Sequence, residues 1–262
     1  MERIAILGSG VGSAVILFTL RRWLKFRGDV DIYALSRVDK VFPFVNVEPD
    51  DDFSGLELVP RVEWDVRWEC TVEEYNRKRW GDLFPLIGVP EFVKYYPRGK
   101  HVAFSTPALY AWIMGKYDPN WILIPSPLSQ EEIVELCGQY DLVFQTFPKT
   151  RKPGEFLESY IRIDATTEYA LLRYPPPDDP GCRVHSFRYD YTEFPVGIKP
   201  QPWHRTEATL KVMLLHPEAK PISPQDPEIS NLYYVGRYAL KNVTFKVQHI
   251  VKLIQSIMEG TR

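Results

Sequence analysis

An apolar run that passes directly into glycines opens the chain: Arg3-Ile4-Ala5-Ile6-Leu7-Gly8-Ser9-Gly10-Val11-Gly12-Ser13-Ala14. Four successive apolar residues without polar alternation predict a strand covered on both faces, as in a parallel sheet. Gly8 suits a tight turn, Gly10 puts no Cβ between the backbone and a pyrophosphate, and the small Ser13 or Ala14 lets helix and strand pack closely. A helix over roughly residues 11 to 26 would then aim the unpaired N–H groups of its first turn, at Val11, Gly12 and Ser13, at phosphate. Its apolar face (Val15, Leu17, Phe18, Leu20, Trp23) and a second strand at Val30-Asp31-Ile32-Tyr33-Ala34-Leu35 complete a β-α-β unit of the size a dinucleotide needs. A strand-to-helix turn that binds nothing is the plainer alternative.

Composition narrows the class. A chain of 262 residues that is 45% hydrophobic can bury about three quarters of its unfolded surface, enough for a two-lobed folded unit. With net charge −2 no overall field draws it to nucleic acid or anionic membrane. Cys70, Cys137 and Cys182 are odd in number and far apart, which argues against a disulfide framework or a zinc site. No apolar run approaches the roughly 18 residues of a membrane span, and the glycine turn stands where a signal peptide would be cleaved, so a cytoplasmic protein with no membrane contact is expected.

Along the chain, Thr71 to Lys78 reads as a short helix with a Thr71/Glu74 capping box, and Ser105-Thr106-Pro107 starts a helix through Lys116. Trp121-Ile122-Leu123-Ile124 is a strand, Gln130 to Cys137 a helix, and Leu210 to Leu215 a strand. Ile161 to Tyr174 and Arg183 to Tyr191 fit antiparallel strands joined by the proline-rich segment 175–181. A helix from about Val243 to Met258 follows the strand at Asn231 to Val235.

Three separated segments together resemble the flavoproteins built on two dinucleotide-binding domains, the group of UDP-galactopyranose mutase and the flavin amine oxidases. They are the turn at Gly8, Gly10 and Gly12, the strand Tyr140-Asp141-Leu142-Val143-Phe144-Gln145-Thr146-Phe147-Pro148, and Asn231-Leu232-Tyr233-Tyr234-Val235-Gly236-Arg237. The resemblance implies FAD. Its pyrophosphate would lie on the first helix, Thr146 would mark where the chain returns to the cofactor, and Gly236 and Arg237 would meet the flavin end with Asn242 or Thr244 near the last helix start. It also implies an α/β fold: a Rossmann-like FAD-binding parallel sheet built from both ends of the chain (residues 1–40, 100–150 and 228–262), with an inserted mixed or antiparallel β substrate lobe (41–99 and 151–227). The family places Glu or Asp after its second strand, where this chain has Leu35, Ser36 and Arg37. Ser36 and Arg37 would equally suit a 2′-phosphate, which keeps an NAD(P)-dependent reductase open as an alternative.

For chemistry, the middle of the chain offers Arg173, His185 and Tyr189 on alternating strands, with Tyr169, Arg188, Tyr191 and Glu193 beside them. One shared face would bind an anionic or aromatic substrate; a solvated sheet face is the plainer reading. Trp64, Arg67, Trp68, Arg77, Arg79 and Trp80 would suit stacking on an extruded base, or simply be core tryptophans and solvated arginines. The histidines lack metal-ligand spacing, and neither a Gly-x-Ser-x-Gly turn nor a Walker loop is present. The function expected is that of a small FAD-dependent enzyme for amine or amino-acid C–N oxidation, or for flavin-assisted lyase or mutase chemistry. The substrate would be a small molecule or a modified nucleotide, as in phage DNA hypermodification; a dinucleotide-binding protein without catalysis is the non-enzymatic alternative. Oligomeric state is not encoded in any of these features.

Overall fold

Ile4 to Leu7 are fully buried in the computed structural model, and the strand they form, β1 (Arg3–Leu7), is the centre of a parallel sheet. The structure describes residues 2–36, 45–46, 62–87, 98–150, 152, 154–164, 170–187, 189–200, 208–242 and 247–260. Parallel to β1 on one side run β2 (Asp29–Ala34) and β6 (Asn120–Leu123), and on the other β7 (Leu142–Gln145) and β13 (Leu232–Tyr234). The chain fills one half of the sheet, returns to the centre and fills the other. This is the doubly wound order, and its reversal lies between β1 and β7.

Both faces of this sheet are covered, which explains its unbroken apolar runs. Ile4, Ile6, Ile32 and Phe144 pack under α1 (Val11–Phe18), α4 (Thr106–Tyr117) and α6 (Val247–Gly260). Ala5, Leu7, Val143 and Tyr234 pack under α5 (Gln130–Cys137). Because α1 is wedged against the sheet, α4 and α6, it is buried around its whole circumference from Ser13 to Phe18. The expected helix to residue 26 instead loosens at Thr19, where a π-type turn runs to Trp23. There the Thr19 hydroxyl donates to the Val15 carbonyl at 2.7 Å, and the Leu24 N–H reaches back five residues to the Thr19 carbonyl.

The inserted part forms a second, mixed sheet in the order β12 (Ala208–Leu215), β8 (Phe156–Asp164), β11 (Tyr189–Glu193), β10 (Arg183–Phe187), β9 (Leu171–Tyr174), β4 (Val62–Trp68), β5 (Gly99–Ser105) and β3 (Val45–Asn46). Its pairs are antiparallel except β4 with β9. One expected boundary moves: β5 pairs with β4, so residues 99–105 belong to this lobe and not to the parallel sheet. Strand partners across 30 or more residues leave no local mark in the sequence. Over β4 and β9 lies α2 (Val72–Trp80), entered through the Thr71/Glu74 capping box, with the short α3 (Phe84–Ile87) after it. Tyr75 of α2 meets the Trp68 and Tyr174 rings edge-on, and those two stack at 3.6 Å.

Candidate functional site at the strand reversal

Registers place Leu7 and Tyr234 on either side of Gln145, so β1, β7 and β13 end level with one another. Gly8 and Thr146, which follow directly, and Gly236, one residue further on after Val235, therefore stand at the carboxyl ends of three adjacent strands, where doubly wound sheets bind ligands. Gly8 holds φ +112°, and a Cβ on it would lie 2.3 Å from Thr146 Oγ1. Its N–H donates to the Tyr33 carbonyl at 2.8 Å. The Ser13 hydroxyl donates to the Gly8 carbonyl at 2.7 Å, and the Thr146 hydroxyl to that of Leu7 at 2.8 Å. Both hydroxyls thus lock the turn, and Ser13 is fully buried.

The outer side of the turn is open. A Cβ on Gly10 would meet nothing within 4 Å, and Gly10, as N-cap of α1, offers no side-chain cap. The first-turn N–H groups at Val11 and Gly12 are left for an anion. A Cβ on Gly12 would meet Thr146 and Ile250 at ordinary contact distance, so this position of α1 faces the end of β7 and α6. Gly236 holds φ +100° with open space on its Cβ side. These features fit an extended dinucleotide: a bare backbone cradle, an uncapped helix start and a second glycine turn two strands away. The Asn242 N–H closes a turn on the Arg237 carbonyl at 3.0 Å. Ser36 is exposed just past β2, whereas Arg37 and Thr244 lie outside the described residues.

Arg173 is not brought onto the face of His185 as expected. Arg173 pairs with Val184, and His185 with Leu172, so alternation sends the Arg173 and His185 side chains to opposite faces. Arg173 bonds Asp179 at 3.1 Å. Tyr189 lies on β11 beyond His185, and its side chain is outside the described residues. The six aromatic and basic residues around β4 and α2 are also committed within the lobe. Trp64 is fully buried, Trp68 stacks on Tyr174, Arg67 pairs with Asp65, Arg77 with Glu73, and Arg79 with Glu193, while Trp80 is half-buried beside Arg79.

That last pair opens a cluster that sequence reasoning missed. Glu193 of β11 accepts from Arg79 of α2, from Arg183 Nε and Nη2 at 3.1 and 2.5 Å, and meets His185 Nε2 at 3.1 Å. Burial alone would raise the Glu193 carboxyl, but the charges of Arg183 and Arg79 hold it well below the usual range. Burial and the charge of Arg183 lower His185 against the pull of Glu193, which leaves the ring neutral near pH 7. Arg237 senses the same cluster: burial, Arg79 and Arg183 pull its pKa down, although Tyr238 opposes them. Arg237 and Tyr238 are exposed, so they form the solvent-facing wall of this cluster. Arg79 and Arg183 together outweigh the single charge of Glu193, which leaves this wall cationic. Tyr238 and Phe156 rings lie 6.4 Å apart, and Lys241 bonds Glu155 at 2.7 and 2.9 Å, which ties the Gly236 turn to the start of β8.

A cavity of about 700 Å³ lies elsewhere, lined by Lys149, Asp226 and Tyr234 along the outer edge of β13. Its buried carboxylate, Asp226, accepts from Lys149 at 2.8 Å, Tyr234 at 2.5 Å and two backbone N–H groups. It braces a sheet edge. Among the described residues no three His, Cys, Asp or Glu side chains are grouped to hold a metal, and no helix is long and apolar enough to cross a membrane.

No protein-family model and no curated protein sequence matches the chain. Solved structures do. A flavin-dependent halogenase from Xanthomonas campestris aligns with TM-score 0.54 and 10% identity over 98% of this chain and 70% of its own. A tryptophan 6-halogenase from Streptomyces toxytricini gives 0.52 and 9% over 99% and 71%. Reduced UDP-galactopyranose mutase gives 0.52 and 10% over 99% and 96%. The chain thus has an α/β fold similar to that of these flavoproteins, a parallel sheet carrying an inserted mixed β lobe.

Proposed function

We propose that the chain is an FAD-dependent enzyme. The observation that carries this is the alignment of Gly8, Thr146 and Gly236 at three adjacent strand ends, with the uncapped start of α1 beside them. Val11 and Gly12 would hold the pyrophosphate through backbone N–H groups, and Gly236 and Arg237 would border the flavin end. When bound, the flavin supplies hydride acceptance and electron transfer that no side chain here can provide.

The residues of the chain supply binding and charge. Arg237, with Arg79 and Arg183 behind it, favours negative charge on whatever occupies the cationic wall. Glu193 fixes two of the three guanidinium groups, and the neutral His185 adds no further charge. This arrangement suits a substrate carrying a carboxylate, as an amino-acid group does, and we favour oxidation of its C–N bond. Redox-neutral lyase or mutase use of the flavin is the second reading, supported by the same cation excess, which also favours negative charge on the cofactor. An amino-acid-modified nucleobase would present the same carboxylate, but Trp64 and Trp68 are spent on the core and offer it no stacking platform. A nicotinamide-dependent reductase would leave the Gly236 turn without a role.

Absorbance of the protein after reconstitution with FAD is the first test, with bands at about 370 and 450 nm expected from a bound flavin. Oxygen consumption with amino-acid substrates then separates oxidation from redox-neutral turnover, which requires a reductant at the start and consumes none. A protein that refuses FAD and instead oxidises NADPH would overturn the proposal.

A further inference from the structure

Four strands end the two sheets. The outer side of β13 is met by the chain before it, through a bridge from Gln225 to Tyr233 and a bond from the Tyr234 N–H to the Pro224 carbonyl at 2.6 Å. β6 spans four residues and β3 two. The remaining edge, β12, is different: all eight of its residues, Ala208 to Leu215, pair with β8, and among the described residues no strand lies on its other side. Its sequence holds no proline or glycine and a single charge, so it lacks the usual devices that keep an open edge from pairing. Even that charge is drawn back over the sheet, because the Lys211 ammonium bonds the Glu158 carboxylate of β8.

The outward backbone groups follow from the register. The His216 N–H donates to the Glu155 carbonyl at 2.8 Å, the next pair beyond Leu215 and Phe156, so the hydrogen-bonded pairs of β12 with β8 fall at Leu214, Val212 and Leu210. The N–H and carbonyl groups of Thr209, Lys211 and Met213 therefore point away from β8. Their opposite residues in β8 agree: the Tyr160 and Glu158 carbonyls accept from Phe194 and Gly197 on the far side of that strand. Thr209, Lys211 and Met213 are exposed, while Leu210, Val212 and Leu214 lie half-buried in a row on the other face.

A second β12 laid antiparallel on this edge has two registers that use these groups. One sets Lys211 opposite its own copy, like charge against like. The other sets Val212 opposite Val212, Lys211 opposite Met213 in both directions, and Leu210 opposite Leu214. In that register the half-buried aliphatic row is continued by its own copy, and no charge opposes another.

We propose that β12 is a self-association edge: two copies of the chain pair antiparallel through Lys211 and Met213 about a two-fold axis at Val212, joining their β lobes into one sheet. The inference is independent of the FAD reading. Sedimentation at micromolar concentration should show a dimer. Met213→Pro removes an outward N–H that β8 does not use, so it should weaken dimerisation by about tenfold, the scale of two lost backbone bonds per dimer. Val212→Cys should give a disulfide-linked dimer on mild oxidation, since opposed residues of a non-hydrogen-bonded pair stand about 4.5 Å apart at Cα, within disulfide reach. Leu210→Cys, which meets Leu214 and not itself, should not link. Nor should the parent, whose Cys137 and Cys182 are buried and Cys70 half-buried.

A protein that stays monomeric at about 100 μM would overturn the proposal, whatever else covers the edge. So would a dimer that Met213→Pro leaves intact, or one in which Leu210→Cys links as readily as Val212→Cys. If Met213→Pro does not fold, the two cysteine variants decide alone, because neither changes an outward hydrogen-bonding group.

Discussion

Replacing Glu193 by Gln should be among the most damaging near-isosteric changes in the lobe. The carboxylate is buried between two guanidinium groups whose side chains are only 12% and 17% exposed, those of Arg79 and Arg183. Glutamine keeps the volume but removes the charge, and its amide nitrogen faces donors. Two cations are then left in a poorly solvated place with one acceptor oxygen between them. Breaking a buried ion pair from one side costs about 3–5 kcal/mol. Here the Tyr75 hydroxyl still accepts from Arg79 at 2.9 Å and some solvent remains, so the lower half, about 3–4 kcal/mol, is expected. For a chain of this size that corresponds to a fall in melting temperature of about 10 °C. Urea titration with matched m-values would measure it. Arg183→Met should cost about 2 kcal/mol less in the Glu193→Gln background than alone, because it then removes a stranded cation instead of taking one of its two cations from the buried Glu193. A Glu193→Gln variant within 1 kcal/mol of the parent would refute the reasoning.

Acidification should act through the same cluster. His185 is lowered from its ordinary value of 6.5, so the unfolded chain takes up that proton first, and its contribution to stability, complete above pH 6.5, is lost as pH falls through the folded value. Melting temperature measured from pH 8 to 5 should decline below about pH 6.5, and His185→Gln should flatten that decline. Gly8→Ala meets both the positive φ and the 2.3 Å approach to Thr146 Oγ1 and should destabilise by about 2–3 kcal/mol. Gly10→Ala, with open space and φ −80°, should leave the melting temperature unchanged and weaken FAD binding, which calorimetry would show. Ser36→Glu should tighten FAD by about tenfold if the ribose hydroxyls reach this strand end, since hydrogen bonds to a charged group are worth about 1.5 kcal/mol.

What the sequence revealed was mainly local. The strand, glycine turn and helix at residues 3 to 18 are consecutive, and their apolar run reports directly that both sheet faces are covered. The capping box Thr71/Glu74 closes within one helical turn, so that helix start was legible, whereas the Ser129/Glu132 box before the helix at Gln130 emerged only with the structure. Register was not. The alternating residues of β9 and β10 suggest a common face for Arg173 and His185, but Val184 opposes Arg173, and a one-residue offset turns a side chain to the other side of the sheet. The Arg79 and Glu193 pair spans 114 residues, and no short pattern joins a helix end to a strand end at that distance.

The two kinds of information divide along the two lobes. The proposed cofactor contacts at Gly8, Gly10 and Gly236 depend on backbone geometry, which glycine spacing encodes in the chain itself. The cationic wall depends on which residues of β10, β11 and α2 meet across the second sheet, and only long-range pairing fixes that. The proposed charge preference for substrate therefore resides in the part of the fold that local pattern does not specify. Gly10→Ala and Glu193→Gln should separate the two: the first should lower FAD affinity without moving stability, and the second should lower stability and shift the response to anionic substrates. If Gly10→Ala instead altered substrate charge preference at saturating FAD, the cradle and the wall would be one site, and the division drawn from their geometry would fail.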